Sequence, residues 1–410
     1  MKQEFKAAKP SPLLLWLVQA KLKHDLAREN TVQISPDDLE KLRRLPCGSG
    51  VILTPNHADE TDPRVCLDLA RRSKRRFLFM CNREAFGEMH GLAGLALQGI
   101  GYFSVERGGH DVAAKNYSTA IVKEGKDVLV IFPEGEIFYL NESLQPFHSG
   151  AVDIGMQAIL EKRKSDPQWT SYILPMAIHY KYSEPIDKIL EKRIASMEKR
   201  LKEAIHEYSL QNRLSTIQRD LLAREEKNYN IALEANIQNI QAGNATAPFS
   251  AEDLAKLSLR IEHARQTILR QVEDKNTALF SNQARTIDQA WQMSAHLREK
   301  LAHTIDKTKE KELKDELAAL NEVAQLVSWQ PQYVGSNPSE NRMAEMVLKL
   351  ERELYRIKRP KQLAKRDVYV RLAEPIDLGA YLDEYLSEPH QLRHKMAEIL
   401  RDTIQALVNA

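Results

Sequence analysis

Gly50-Val51-Ile52-Leu53-Thr54-Pro55-Asn56-His57-Ala58-Asp59-Glu60-Thr61-Asp62-Pro63 is the stretch from which the rest of the chain is read. Its first six residues form a short, nearly continuous apolar run, the pattern of a buried strand. After Pro63, Val65, Leu67 and Leu69 begin an apolar-periodic segment that predicts a helix, with Asp62 at the N-cap and Pro63 at N1. A histidine therefore stands where a strand ends and a helix begins, with a carboxylate one turn away. Histidine titrates near neutrality, and a carboxylate beside it can fix its tautomer and stabilise its protonated form. The pair suits deprotonation of a hydroxyl. The same spacing also serves a purely structural hydrogen bond.

Working outward, the chain has 410 residues, with 59 Lys and Arg against 57 Asp and Glu. That length allows two or three domains and a large core. Hydrophobic residues make up 43% and mean hydropathy is −0.47, and no apolar run is long enough to cross a bilayer. The N-terminal apolar stretch Leu13–Val18 is short and lacks a small-residue cleavage site, so no secretory signal is expected. Cys47, Cys66 and Cys81 are scattered without metal-ligand spacing, which predicts a reducing, cytoplasmic setting, no disulfide framework and no metal. The balanced charge argues against a nucleic-acid partner held by bulk electrostatics.

Up to about residue 183, strand-like and helix-like patterns alternate. Strands are predicted at Val51–Pro55, Phe77–Cys81, Tyr102–Val105, Val128–Phe132 and Tyr172–His179. Helices are predicted at Pro63–Arg72, Glu84–Leu97, Asp111–Lys123 and Ala151–Lys162, with Gly125 as a C-cap. This alternation predicts an α/β fold, a central sheet flanked by helices. Beyond Ser183, Glu, Lys, Arg, Gln, Ala and Leu dominate. Leu190, Ile194, Met197, Leu201, Ala204 and Tyr208 trace a helical seam. A loop at Ala242–Pro248 interrupts this region, Ser250 and Asp253 open a further helix as a capping box variant, and helices follow at Leu254–Lys275, Thr286–Lys311, Glu312–Val327 and Glu340–Lys358, with a loop from Trp329 to Pro338. Val368–Leu372 then reads as a strand, and Tyr381–Val408 as one or two amphipathic helices. A strand after so many helices makes sense if 184–365 is a long all-α insertion, and the chain returns at 366–410 to complete the sheet begun in 1–183.

Three further segments follow His57 in order. Gly101-Tyr102-Phe103-Ser104-Val105-Glu106-Arg107 is a strand ending in an arginine, Phe132-Pro133-Glu134-Gly135-Glu136 is a strand ending in an acidic turn, and Leu174-Pro175-Met176 is an apolar strand holding a proline. Singly, each has a structural reading: a surface arginine, a turn, an edge strand. Together with Asn56, His57 and Asp62 they resemble the four blocks of the glycerolipid acyltransferase family, best known for 1-acylglycerol-3-phosphate acyltransferases. Gly101 and Arg107 match its second block, Phe132, Pro133, Glu134 and Gly135 its third, and Pro175 its fourth. Pro146–Ala151 resembles the segment that follows the third block, and Val370–Asp377 the last strand and turn of that fold. The resemblance covers roughly 30–183 and 366–410 and leaves the helical insertion unexplained.

The resemblance implies a mixed central sheet and an O-acyltransferase of lipid metabolism. His57 would be the general base and Asp62 its orienting partner, acting on a hydroxyl of a glycerol-phosphate or lysophospholipid-type acceptor. Acyl-CoA or an acyl carrier protein would be the co-substrate, and no cofactor would be needed. Asn56, Gly101, Arg107 and the Phe132–Gly135 block would form the substrate site, with Arg107 on an acceptor phosphate and Glu134 shaping the site. Backbone N–H groups near the helix start or the Glu134-Gly135 turn would serve the oxyanion. The chain departs from the family where a small hydroxyl residue and then an arginine usually follow Pro-Glu-Gly. Here Glu136-Ile137-Phe138 follows, and a carboxylate there opposes a phosphate. A non-phosphate acceptor, or a weakly catalytic membrane or partner adaptor working through the insertion, are the alternatives.

Residues 1–30 carry Leu13, Leu14, Trp16, Leu17, Ala20 and Leu22 near Lys21, Lys23 and Arg28. That is either an interfacial helix on the cytoplasmic face of a membrane or an amphipathic helix capping the domain. Arg71, Arg72, Lys74, Arg75 and Arg76 form a basic run suited either to anionic head groups or CoA phosphates, or to a solvated helix end. The insertion is open to an oligomerisation role.

Overall fold

Gly50–Pro55 is a strand with all six residues buried. It is the centre of the fold. The computed structural model describes residues 4–109, 111–202, 209–233, 249–276, 285–335 and 338–410. In chain order the strands are β1 (Asn30–Ile34), β2 (Gly50–Pro55), β3 (Phe77–Asn82), β4 (Tyr102–Val105), β5 (Val128–Val130), β6 (Ser171–Tyr182), β7 (Arg366–Leu372) and β8 (Ile376–Asp377). They form one mixed sheet in the order β1-β7-β6-β2-β5-β3-β4, with β8 also on β6. β2 is parallel to both β5 and β6, β3 is parallel to β4 and β5, β1 is parallel to β7, and β8 runs antiparallel to β6. The start of β7 lies beside the end of β6, where Arg366 stacks on Tyr180. Its far end lies beside the middle of β6, where Ala373 N donates to Pro175 O at 3.0 Å. The two strands therefore run in opposite directions.

Side chains alternate across the sheet with the period of two that a strand imposes. Val51 and Leu53 share one core with Val65 and Leu69 of the helix Asp62–Ser73 and with Met176 and Val368. Ile52 faces the other core, with Leu129, Ile173, Ile159 and, from the C-terminal helix Pro389–Asn409, Met396 and Leu400. Both faces are covered, which is why β2 reads as an unbroken apolar run.

The chain divides into two compact units: the described residues up to Lys181 together with Arg366–Ala410, and Tyr182–Lys365. Beyond Tyr182 the described residues of the second unit are helices and connections, with Asp187–Leu201, Leu210–Asn228, Ala251–Asn276, Thr286–His303, Lys307–Val327 and Glu340–Leu354 as the main helices. Leu190, Ile194, Met197 and Leu201 enter its core beside Ile217 and Leu221. Ala204, Tyr208 and the 242–248 loop lie outside the described residues. Ser250 and Asp253 bond reciprocally, Asp253 N to Ser250 Oγ at 3.1 Å and Ser250 N to Asp253 Oδ2 at 3.0 Å. Glu225, Glu322 and Glu353 bring carboxylates within 4.8 Å of one another, with Arg356 reaching all three.

Several local expectations differ from the fold. The helix expected over Thr286–Lys311 stops at His303, because Asp306 caps a new helix by accepting from Thr308 N and Lys309 N. A short helix, Pro331–Val334, lies within the expected 329–338 loop. The Glu84–Leu97 helix is a 3₁₀ segment, Arg83–Gly91, followed by Leu92–Gly99, with Gly91 in the left-handed region between them. β7 starts two residues earlier than the apolar run, at Arg366, and β1 and β8 were not foreseen. Pro175 is not on an edge strand. It lies where the outer neighbour of β6 changes from β8, paired at Tyr172 and Ile173, to β7, so its missing N–H falls at a break in the ladder.

Candidate active site

β2 ends at Pro55, while β6 continues to Tyr182, so β6 extends past its neighbour. Two buried asparagines satisfy the exposed edge. Asn56 Oδ1 accepts Ile178 N at 2.7 Å and its Nδ2 donates to Ile178 O at 3.0 Å. Asn141 repeats this one pair further on, with both bonds to Tyr180 at 2.8 Å. Each amide replaces one rung of a ladder, since buried backbone groups must be paired. Asn56 thus fixes where the next residue, His57, leaves the sheet.

His57 Nδ1 meets Asp62 Oδ2 at 2.9 Å, and the imidazole stacks on Phe132 with centroids 4.0 Å apart. The histidine side chain keeps 13% exposure while the Asp62 side chain has none. A carboxylate at Nδ1 makes that nitrogen the donor and leaves Nε2 as the basic atom. The helix begins at Asp62 with Thr61 in the cap position, one residue earlier than expected. Asp62 is free of capping duty because its oxygens turn to the loop: Oδ2 also accepts Asp59 N at 2.8 Å, and Oδ1 accepts the Tyr180 hydroxyl. Burial pushes the Asp62 carboxyl above its usual range, against the hydrogen bond and charge of His57, and the charge of Asp59 adds to the rise. Burial would raise Asp59 as well, but the charge and hydrogen bond of Arg366 and the bonds from Thr61 outweigh it and hold Asp59 low.

Glu134 is 2% exposed. Its Oε1 accepts His57 N at 2.7 Å and its Oε2 accepts Gln145 N at 3.1 Å. Its carboxylate thereby ties the turn after β5 to the backbone of His57. Pro133 O accepts His148 N at 2.8 Å, and Gly135, at φ +76°, closes the turn by donating to Phe132 O at 3.1 Å. Gly101 sits at φ +100°, where an added Cβ would come within 2.8 Å of Phe77 O, so only glycine fits between β3 and β4. Arg107 donates from Nη1 to Gly135 O at 3.3 Å and forms an ion pair with Glu136, both side chains about a quarter exposed. Glu136 Oε1 also accepts Ile137 N at 3.0 Å.

His57, Asp62, Asn56, Phe132 and Glu134 are thus joined directly, and Arg107 reaches the same turn through Gly135. Residues 35–179 match the family model described as Acyltransferase. That stretch of the unit is an acyltransferase-family domain. No curated protein matches the chain at a significant level. The acyltransferase domain also holds residues that sequence reasoning did not reach: Asp59, Tyr180 and Asn141, and Arg366 from beyond the helical unit. Tyr180 has a weak sequence signal, being two residues past Ile178 and so on its face of β6. Arg366 has none, because its position depends on pairing with distant β1. In the basic run Arg71 and Arg72 bind Asp68, Arg75 binds Leu42 O and Leu45 O, and Arg76 binds Asp127, while Lys74 is exposed.

Proposed function

We propose that the acyltransferase domain moves a fatty acyl group from a thioester, acyl-CoA or acyl carrier protein, to an acceptor hydroxyl, with His57 as general base. The observation that supports this best is the His57–Asp62 pair, with Nδ1 engaged and the His57 side chain 13% exposed. His57 Nε2 would take the proton as the acceptor oxygen attacks the thioester carbonyl. The tetrahedral oxyanion would then collapse, break the C–S bond and release the thiolate, which recovers the proton from imidazolium. His57 N, Asp59 N and Gly135 N are already given to Glu134, Asp62 and Phe132 O, so the oxyanion must find other donors. The test is acyl-CoA consumption by wild type and His57→Ala across glycerol-3-phosphate, lysolipid, neutral alcohol and amine acceptors. His57→Ala should lose at least about 10²-fold, and activity equal to wild type would end the assignment.

The glycerol-phosphate or lysophospholipid acceptor rests on Arg107. A second reading, an acceptor hydroxyl on a molecule without a terminal phosphate, is favoured by the Arg107–Glu136 ion pair, which already supplies the guanidinium with an anion. Among the described residues no helix is long and apolar enough to cross a membrane. Peripheral contact is supported by Leu13, Trp16 and Leu17 of the helix Pro12–Glu29 and by Leu92 and Leu95, each at least half exposed. An added Cβ at Gly99 would meet Leu14 at 2.5 Å, so the helices that carry these exposed side chains touch. Trp16→Ser should reduce co-sedimentation with anionic vesicles, and unchanged binding would remove this face from the reading.

A further inference from the structure

Beneath the His57–Asp62 pair lies a set of buried polar groups that proton transfer does not consume. Arg366, the first residue of β7, is 6% exposed. Its Nη1 donates to Asp59 Oδ2 at 2.9 Å, its Nε to Asn30 Oδ1 at 3.1 Å and its Nη2 to Thr61 Oγ1 at 3.4 Å. Its guanidinium carbon stands 4.3 Å from the centre of the Tyr180 ring, and the hydroxyl of that ring donates to Asp62 Oδ1. Two carboxylates, Asp59 with its side chain 21% exposed and the fully buried Asp62, therefore share one loop three residues apart. Like charges so placed push one of the pair toward its protonated form unless a cation cancels the other. Arg366 pairs with Asp59 and leaves the Asp62 charge to His57.

We propose that Arg366 and Tyr180 are positioning residues for the acyl-transfer base: Arg366 neutralises Asp59 so that Asp62 remains an anion, and Tyr180 holds Asp62 with Oδ2 toward His57. The inference rests on His57 being the base. Burial, then the charges of Asp62 and Asp59, hold the Tyr180 phenol well above its ordinary value, so it stays a donor throughout the working range. The groups facing Asp62 are His57 and Asp59 on its own loop, Tyr180 from β6, Arg366 from β7 behind Asp59, and the Cys66 thiol one turn along the helix, which burial and Asp62 push up. Glu134, from the turn after β5, reaches the backbone of His57 rather than its ring.

The sign follows from these contacts. Removing the Tyr180 donor makes the Asp62 carboxylate more basic, so the dyad takes up its proton at higher pH. Tyr180→Phe keeps the ring under Arg366 and loses only the hydroxyl. It should lower kcat about tenfold to hundredfold, leave the acceptor KM within about twofold, and move the acid limb of the pH profile upward. The pH midpoint for carbethoxylation of His57 by diethyl pyrocarbonate, read by mass spectrometry, should rise in the same variant. That readout needs no acceptor, so it tests the positioning claim even if acyl transfer is refuted. Arg366→Gln should show the same loss, and Asp59→Asn added to it should restore activity by removing the charge Arg366 cancels. A Tyr180→Phe protein with unmoved pH midpoints, or an Arg366→Gln/Asp59→Asn protein no better than Arg366→Gln, would overturn the proposal.

Discussion

Replacing Glu136 with glutamine should convert the domain toward acceptors that carry a phosphate. Glutamine keeps an oxygen for Ile137 N, which Glu136 Oε1 accepts at 3.0 Å, so the turn is preserved and only the charge is lost. In wild type the Arg107 guanidinium is ion-paired to Glu136, with side-chain exposures of 28% and 26%. Two unit charges about 4 Å apart interact by about 1 kcal/mol in water and about 4 kcal/mol at the effective dielectric of a protein surface. A site with a quarter of its surface in solvent lies between these limits. A phosphate approaching Arg107 would regain the lost guanidinium interaction and escape repulsion from the carboxylate, a gain of about 1–3 kcal/mol, or roughly 5-fold to 150-fold. The assay is kcat/KM for glycerol-3-phosphate or lysophosphatidic acid, divided by kcat/KM for a monoacylglycerol, at low ionic strength. The ratio should rise by that factor and fall back as salt screens the pair. Arg107→Ala in the Glu136→Gln background should abolish the gain, because the gain acts through Arg107. A ratio unchanged within twofold would refute the view that Glu136 governs acceptor charge.

Other outcomes follow from the same contacts. In the helical unit, burial and then the charges of Glu353 and Glu225 push Glu322 up to about 8. An acid raised on folding destabilises the folded state as pH climbs from its ordinary value to its raised one. Urea denaturation should therefore show stability falling by on the order of 3–5 kcal/mol between pH 4.5 and pH 8, and Glu322→Gln should remove most of that slope; a wild-type curve flat over this range would contradict it. Asn141→Ala strands both backbone groups of Tyr180 in a buried edge and should cost about 2–4 kcal/mol, whereas a loss under 0.5 kcal/mol in denaturant titration would mean β6 finds another partner. Ser183 N donates to Lys365 O at 3.0 Å, so the ends of the helical unit already meet. Exchanging residues 184–364 for a two-residue Asn-Gly turn should preserve a cooperative thermal transition and the β signal in circular dichroism, and loss of both would count against separable folding.

Much of the sheet is legible because its central strands bury both faces. β2 is nearly all apolar and β6 holds the apolar run Ile173–Ile178, and such runs need no partner to be recognised. β1 is harder: Asn30-Thr31-Val32-Gln33-Ile34 is short, half polar, and defined by pairing with β7 more than three hundred residues away. β8 has two residues, below any local signal. The break after His303 was masked because Lys and Glu on both sides favour helix, while the single Asp306 cap that starts the new helix is a local hydrogen-bonding event. The site divides along the same line. His57, Asp62 and Glu134 stand at strand ends within fixed spacings, so sequence order alone finds them. Tyr180 matters only because Asn56 and Asn141 pin the register of β6, and Arg366 only because β7 returns beside it.

That return completes the surroundings of the His57–Asp62 pair. β6 and β7 run in opposite directions, and the helical unit is the connection between them. Arg366 is the residue at which the chain re-enters the sheet, paired with Asn30 of β1 and bonded to Asp59, Thr61 and the face of Tyr180. The first 183 residues hold His57, Asp62 and Tyr180, yet lack the cation that separates the charge of Asp59 from that of Asp62. The ends of the helical unit meet at Ser183 N and Lys365 O, which brings β7 back to the sheet directly after that unit. In the proposed role of His57 as base, the cation beside its Asp59–Asp62 loop is therefore supplied by the re-entering strand, more than three hundred residues along the chain.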